Sequence, residues 1–211
     1  AKPADRIEIA KTLLDFMRRE LIVNSDYLER RKLEQIQHQS NQRLASPWAI
    51  DEDERLEHAA RLFPRPRRKN DYLGDTYMSA RGGYGQYLRR KLVQTGAEGR
   101  LSVEHTGHII QQILENLRVG GLVDRVVEPR ADDDVPGYQV VAAAMRWKAG
   151  DATRAFHDPI RVPNQPESGG RTNPFFVDFY RTTGNQLVGF EAREHTAQVP
   201  YENREEREAR F

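Results

Sequence analysis

The sequence predicts an α+β fold, mainly helical, and three observations predict it. Apolar residues recur at three-and-four spacing in the first part of the chain. Two further helical stretches in the middle are separated by Gly96 and Gly99 and followed by two short runs rich in β-branched residues. A proline-punctuated stretch after Gly150 leads to one more strand-like segment and a strongly charged tail. The implied organisation is a helical region with a basic loop over 1–75, a two-helix-and-hairpin domain over 76–150, and a Pro-rich linker leading to a strand–helix edge over 151–211.

The first helix is carried by Ile7, Ala10, Leu13, Leu14, Met17 and Leu21, with Asp5 as its expected N-cap. A second starts after Asn24 or Ser25, carries Tyr27, Leu28, Leu33 and Ile36, and runs to Arg43 before Pro47-Trp48 interrupts it. A third, short helix is expected over 51–63, with Leu56, Ala59, Ala60 and Phe63 inward. Pro64 and Pro66 then end regular structure, because proline lacks the amide donor and clashes inside a helix. Residues 65–74 read as a basic loop.

In the middle, Tyr84, Tyr87, Leu88 and Leu92 form the apolar face of a helix over 84–94. Ser102 caps the next, with Glu104 in its first turn, where a carboxylate suits the helix dipole. Ile109, Ile110, Ile113, Leu114 and Leu117 line that helix, Gly107 is a point where it could break in two, and Gly120-Gly121 end it. Residues 122–127 and 138–141 read as two strands joined by a long polar tip containing Asp132, Asp133 and Asp134. Further on, Asn173-Pro174 opens an aromatic segment to Tyr180 (a packing cluster before a base-stacking one), 186–191 reads as a strand, and 201–211 as a charged helix.

The chain has 211 residues, 37% hydrophobic and 31% charged, with a net charge of +1. No run approaches the roughly 18 apolar residues of a membrane span. There is no cysteine, which excludes disulfides and thiolate metal sites, and the expected location is cytoplasmic. The chain opens without an initiator Met, which predicts an excised or processed piece. The charge is unevenly spread: between Arg61 and Lys91 nine basic residues face two acidic ones, a local balance of +7. Such a segment can neutralise phosphates although the whole chain is near neutral.

Helix, helix, hairpin is the order of a winged helix, which lays one helix in a DNA groove and its wing along the backbone. The candidate DNA contacts are Arg65, Arg67, Arg68 and Lys69 in the basic loop, Arg89, Arg90 and Lys91 on the first middle helix, Arg118 at the end of the second, and Arg125 and Arg130 on the hairpin. His105, His108, Gln111 and Gln112 are candidates on the second helix itself. The acidic tip weighs against a wing placed on phosphate. A metal site at His105 and His108 is not expected, and neither the His157-Asp158 and Glu194-His195 dyads nor Ser79 and Ser102 have the context of a hydrolase.

The tail is the most specific stretch. Ala192-Arg193-Glu194-His195 after Phe190, followed by Arg204-Glu205-Glu206-Arg207, resembles the beginning of the second RecA-like lobe of superfamily 2 helicases. Leu13 to Arg19, Pro47-Trp48, Met145-Arg146-Trp147 and Asn173-Pro174-Phe175-Phe176 are similar to the region between the two lobes in large bacterial helicases, nearest to the helicase component of DISARM-type phage-defence systems. The resemblance implies DNA as a partner, His195 as a further DNA contact, the remaining motor lobes and defence-system subunits as protein partners, and ATP with Mg as the parent's cofactors. This chain itself is expected to need none and not to be an enzyme: it has no Gly-x-x-x-x-Gly-Lys-Ser/Thr loop, and Arg81-Gly82-Gly83-Tyr84-Gly85 lacks the lysine and hydroxyl that phosphate binding needs. The expected function is an accessory nucleic-acid-binding region of an ATP-dependent DNA helicase. The alternatives are a protein-interaction or scaffold module of the same helicase, or a stand-alone winged-helix regulator.

Overall fold

A computed structural model describes residues 2–45, 48–51, 53–96, 99, 101–129, 134–149, 157–163, 172–183, 186 and 205. Helix α1 (Pro3–Arg19) begins earlier than expected: Lys2 is its N-cap, and Asp5 lies in the first turn, where its Oδ2 accepts the Lys2 amide at 3.1 Å. Ile9, Leu13 and Met17 form its buried face. The helix stops before Leu21, which lies in the left-handed region at φ 52°. The Leu21 amide donates to the Arg18 carbonyl at 3.3 Å and the Ile22 amide to Met17 at 2.8 Å. This is a Schellman closure, with the apolar contact between Ile22 and Met17 that usually accompanies it.

Strand β1 (Val23–Asn24) and a 3-10 turn (Asp26–Leu28) occupy the residues expected to cap the second helix, so α2 (Arg30–Arg43) starts later, and none of its residues is buried. The helix expected over 51–63 does not form. The Ala59 and Ala60 amides instead donate to the Leu28 and Leu21 carbonyls, and Leu62–Phe63 is a strand, β2, paired in parallel with β3 (Thr76–Tyr77). The spacing of Leu56, Ala59, Ala60 and Phe63 suits a helix, but the end of the segment pairs with distant backbone instead: Leu62 with Thr76 and Tyr138, and Phe63 with Tyr77.

Helix α3 (Gly83–Gln94) buries Tyr84, Tyr87, Leu88 and Leu92, as its spacing predicts. Helix α4 (Val103–Val119) runs through Gly107 without a break, and the Ser102 Oγ caps it by accepting the His105 amide at 3.1 Å. It ends as α1 does: Gly121, at φ 71°, donates to Arg118, and Leu122 to Leu117. Strands β4 (Val123–Val127) and β5 (Gly137–Val141) form the expected hairpin.

The small sheet is mixed, and β5 is its centre. Along one edge it pairs antiparallel with β4; along the other it pairs antiparallel with β2 at Tyr138 and parallel with β1 at Val140 and Val141. One core joins Leu13, Met17 and Leu62 to Leu88, Ile110, Leu114, Tyr138 and Val140, so it draws on residues from both sides of position 75/76.

The chain divides into two compact units, 1–149 with 157–168, and 150–156 with 169–211. Part of the expected linker thus belongs to the first unit. There the buried Asp158 carboxylate accepts the Ile160 and Arg161 amides at 2.9 and 3.1 Å and the Arg19 guanidinium at 2.7 Å, and Ile160 packs against the core. Burial opposes ionisation of this carboxylate, but these hydrogen bonds, Arg19 foremost, hold it below the usual range. In the second unit, α5 (Pro174–Asp178) is capped by the Asn173 Oδ1 and continues as a π-helical turn (Phe179–Thr183). Its Phe175, Phe176 and Tyr180 are exposed and pair edge-on or stacked with their neighbours. The strand expected over 186–191 and the helix over 201–211 lie outside the described residues, apart from Gln186 and Glu205. No helix among the described residues is long and apolar enough to cross a membrane.

Candidate nucleic-acid interface

Three segments converge beside the first half of α4. Pro64 and Pro66 carry the chain out of β2 as an irregular loop, the turn at 79–81 precedes α3, and Val135 lies two residues before the return strand β5 of the hairpin. With Val103, Glu104, Gly107, His108 and Gln111 of α4 they line a groove of about 570 Å3, to which Arg65, Arg68 and Arg81 contribute the cations. The turn can lie this close to α3 because Gly85 has no side chain: a Cβ there would overlap the Ala80 carbonyl.

Arg65 is held from several sides. Its guanidinium sits 5.6 Å from the Phe63 ring centroid and 5.1 Å from that of Tyr77, bonds both Asp71 oxygens at 2.6 and 2.8 Å, and reaches Asp134 at 3.3 Å. The Arg65 hydrogen bonds bring the Asp71 carboxyl down to about 2, helped by the Arg68 amide, which donates to it. Next to this pair, Arg61 bonds both oxygens of Asp75 at 2.9 and 2.7 Å. The loop is therefore less positive than its composition suggests, since several of its cations already have carboxylate partners.

The structure separates the expected contacts into two groups. Arg68 lines the groove, half exposed and 3.8 Å from Asp134, while Arg67 and Lys69 are exposed on the same loop. The remaining cations serve the fold. Arg89 donates to the Ala80 carbonyl at 2.5 Å, Arg90 reaches the Pro159 carbonyl at 3.4 Å, and Lys91 pairs with Glu8 of α1 at 2.6 Å. Arg118 and Arg125 both pair with Glu115, at 2.9 and 2.7 Å. His108 and Gln111 line the groove; His105 and Gln112 are exposed on α4 but do not line it. Arg130 and His195 lie outside the described residues.

One groove residue and one residue beside the groove escaped the sequence reading of contacts. Arg81, which lines the groove, entered only the charge balance and the comparison with a phosphate loop, although it follows β3 and directly precedes the Gly82-Gly83 start of α3. Asp134 was read as part of a repelling tip, whereas it pairs with the basic loop. Among the described residues no group of three or more His, Asp or Glu is placed to hold a metal ion. No protein-family model, no curated protein and no solved structure matches the chain.

Proposed function

We propose that the first unit binds the phosphate backbone of duplex DNA along the α4 groove, as an accessory region of an ATP-dependent DNA helicase that does not itself hydrolyse ATP. The observation that carries the DNA contact is the groove: the half-exposed Arg68 and the exposed Arg81 line it together with the polar positions Glu104, His108 and Gln111 of one helix. Cations that face a backbone position a protein on a duplex, and helix side chains beside them can reach base edges. With β1, α2 and β3 set aside as additions, the order α1, β2, α3, α4, β4, β5, with β2 and β4 on opposite edges of β5, supports a winged-helix reading in which α4 is the groove-facing helix. The helicase assignment rests on the resemblance of the tail beyond residue 190, and its phage-defence branch on that of Leu13 to Arg19, Pro47-Trp48, Met145-Arg146-Trp147 and Asn173-Pro174-Phe175-Phe176.

The test is titration of the full chain with a short duplex across a salt series. Each phosphate neutralised contributes about 0.9 to the slope of log affinity against log salt. The R67A/R68A/K69A/R81A variant is expected to lose most of the affinity and most of the slope. No binding by the unsubstituted chain at low salt would sink the reading. A second reading, a protein-interaction module, is favoured by an apolar groove of about 480 Å3 beside α1, lined by Ile7, Leu14, Leu122 and Met145, with Ile7 68% exposed.

A further inference from the structure

We infer that Asp134 is a built-in competitor for phosphate: its carboxylate occupies the Arg68 side of the groove wall, and a DNA phosphate binds there by displacing it. The inference rests on the proposed DNA contact and adds its regulation. Three observations carry it. First, Asp134 approaches two of the loop's cations, at 3.3 Å from Arg65, 69 residues away in sequence, and 3.8 Å from Arg68, and it is next to the groove residue Val135. Second, the two arginines are held very differently. Arg65 is 13% exposed, doubly bonded to Asp71 and stacked on two rings, so it keeps its place when Asp134 leaves. Arg68 is 52% exposed, so a phosphate can reach its guanidinium from solvent. Third, carboxylate and phosphate oxygens are the same kind of acceptor for a guanidinium, and only one can hold a given donor edge at a time.

The hairpin thus carries its own anion onto the surface that the nucleic acid would use. Binding exchanges an internal ion pair for an intermolecular one, and this lowers affinity without removing any cation. Duplexes offering a closely spaced phosphate row displace Asp134 more readily than isolated anions do, because neighbouring contacts at Arg67, Lys69 and Arg81 hold the row in place.

The experiment compares the full chain with D134N, D134A, E34Q and the R68A/D134N double variant, each titrated with a short fluorescein-labelled duplex of mixed sequence across a salt series. E34Q removes the same charge from α2, where Glu34 pairs with the exposed Arg30. D134N and D134A are expected to bind about fivefold more tightly at low salt, the worth of one exposed ion pair, with a similar slope, because the same phosphates are neutralised once Asp134 is displaced. E34Q should stay near the unsubstituted chain, and R68A should abolish the gain. Equal gains in D134N and E34Q would reduce the effect to net charge and overturn the inference. Binding by the unsubstituted chain with no gain in either Asp134 variant would also overturn it, while leaving the DNA reading standing. Binding by D134N alone would support it in its strongest form. If no variant binds, the DNA reading falls and this inference falls with it.

Discussion

Leu21 and Gly121 hold the same left-handed position at the ends of two different helices, α1 and α4, at φ 52° and 71°. In each case the next residue closes the helix, and its carbonyl then accepts an amide of β5: Ile22 from Val140 at 2.9 Å and Leu122 from Val141 at 3.0 Å. Only Gly121 has the residue type that tolerates this conformation without cost. Gly121→Ala is expected to lose about 1 kcal/mol from backbone strain alone, since no atom lies within 4 Å of its Cβ position. Leu21→Gly should be close to neutral, the relief of strain offsetting the flexibility added to the unfolded chain. Denaturant unfolding of the two variants measures this asymmetry; an equal loss in both would contradict it.

Acid should weaken the joint between α4 and the hairpin. Burial opposes ionisation of Glu115, yet the Tyr138 hydroxyl at 2.5 Å and the guanidinium groups of Arg118 and Arg125 bring its carboxyl down to about 2 from an ordinary 4.5. A depressed carboxyl stabilises the fold above its unfolded value and loses that contribution as pH falls through the folded value. The window is therefore from about 4.5 down to about 2, and the loss is about 1–2 kcal/mol after solvent screening, because the side chain is nearly a third exposed. Glu115→Gln should be less stable at neutral pH and flatten the acid limb of a stability–pH curve. An unchanged curve would show that the cluster contributes nothing.

Two glycines near the groove should respond in opposite directions. Gly85→Ala places a methyl against the Ala80 carbonyl and is expected to cost about 3 kcal/mol. At Gly107 the nearest atom to a new Cβ is the Ala80 Cβ at 4.0 Å, and the site is inside a continuous helix, so alanine should add up to about 1 kcal/mol. Thermal unfolding of both variants decides the point, and a destabilised Gly107→Ala would indicate a strained helix there.

The three cations of α3 should matter for the fold and little for DNA. Lys91→Ala removes the partner of Glu8 and Arg89→Ala leaves the Ala80 carbonyl without its donor, for a combined loss of about 1–2 kcal/mol. Affinity for a short duplex should change far less than in the R67A/R68A/K69A/R81A variant. A larger loss of affinity from the α3 set would relocate the interface.

The sequence made visible what depends on neighbours within a few residues. The Ser102 cap, the apolar face of α3, the Gly121 turn and the β4–β5 hairpin are all local signals, and the structure contains each of them. What it hid depends on distant partners. Residues 54–61 have helical spacing but form no helix, and the segment ends in β2, which pairs with Tyr138 and β3. The candidate site shows the same division. A count of cations identified the loop of Arg67, Arg68 and Lys69, but could not separate them from Lys91 and Arg125, whose carboxylate partners Glu8 and Glu115 are close only after folding. Asp158 is a similar case: nothing in a proline-rich stretch reveals that one carboxylate in it reaches back to Arg19.

The central position of β5 also sets the order of events during synthesis. Val140 pairs with Val23, made 117 residues earlier (140 − 23), and the sheet cannot assemble until β5 is available. At ordinary elongation rates that interval is on the order of ten seconds. Throughout it, the stripe of Ile9, Leu13 and Met17 on α1 lacks its β5 cover, and so presents to cellular chaperones a surface that the finished molecule conceals.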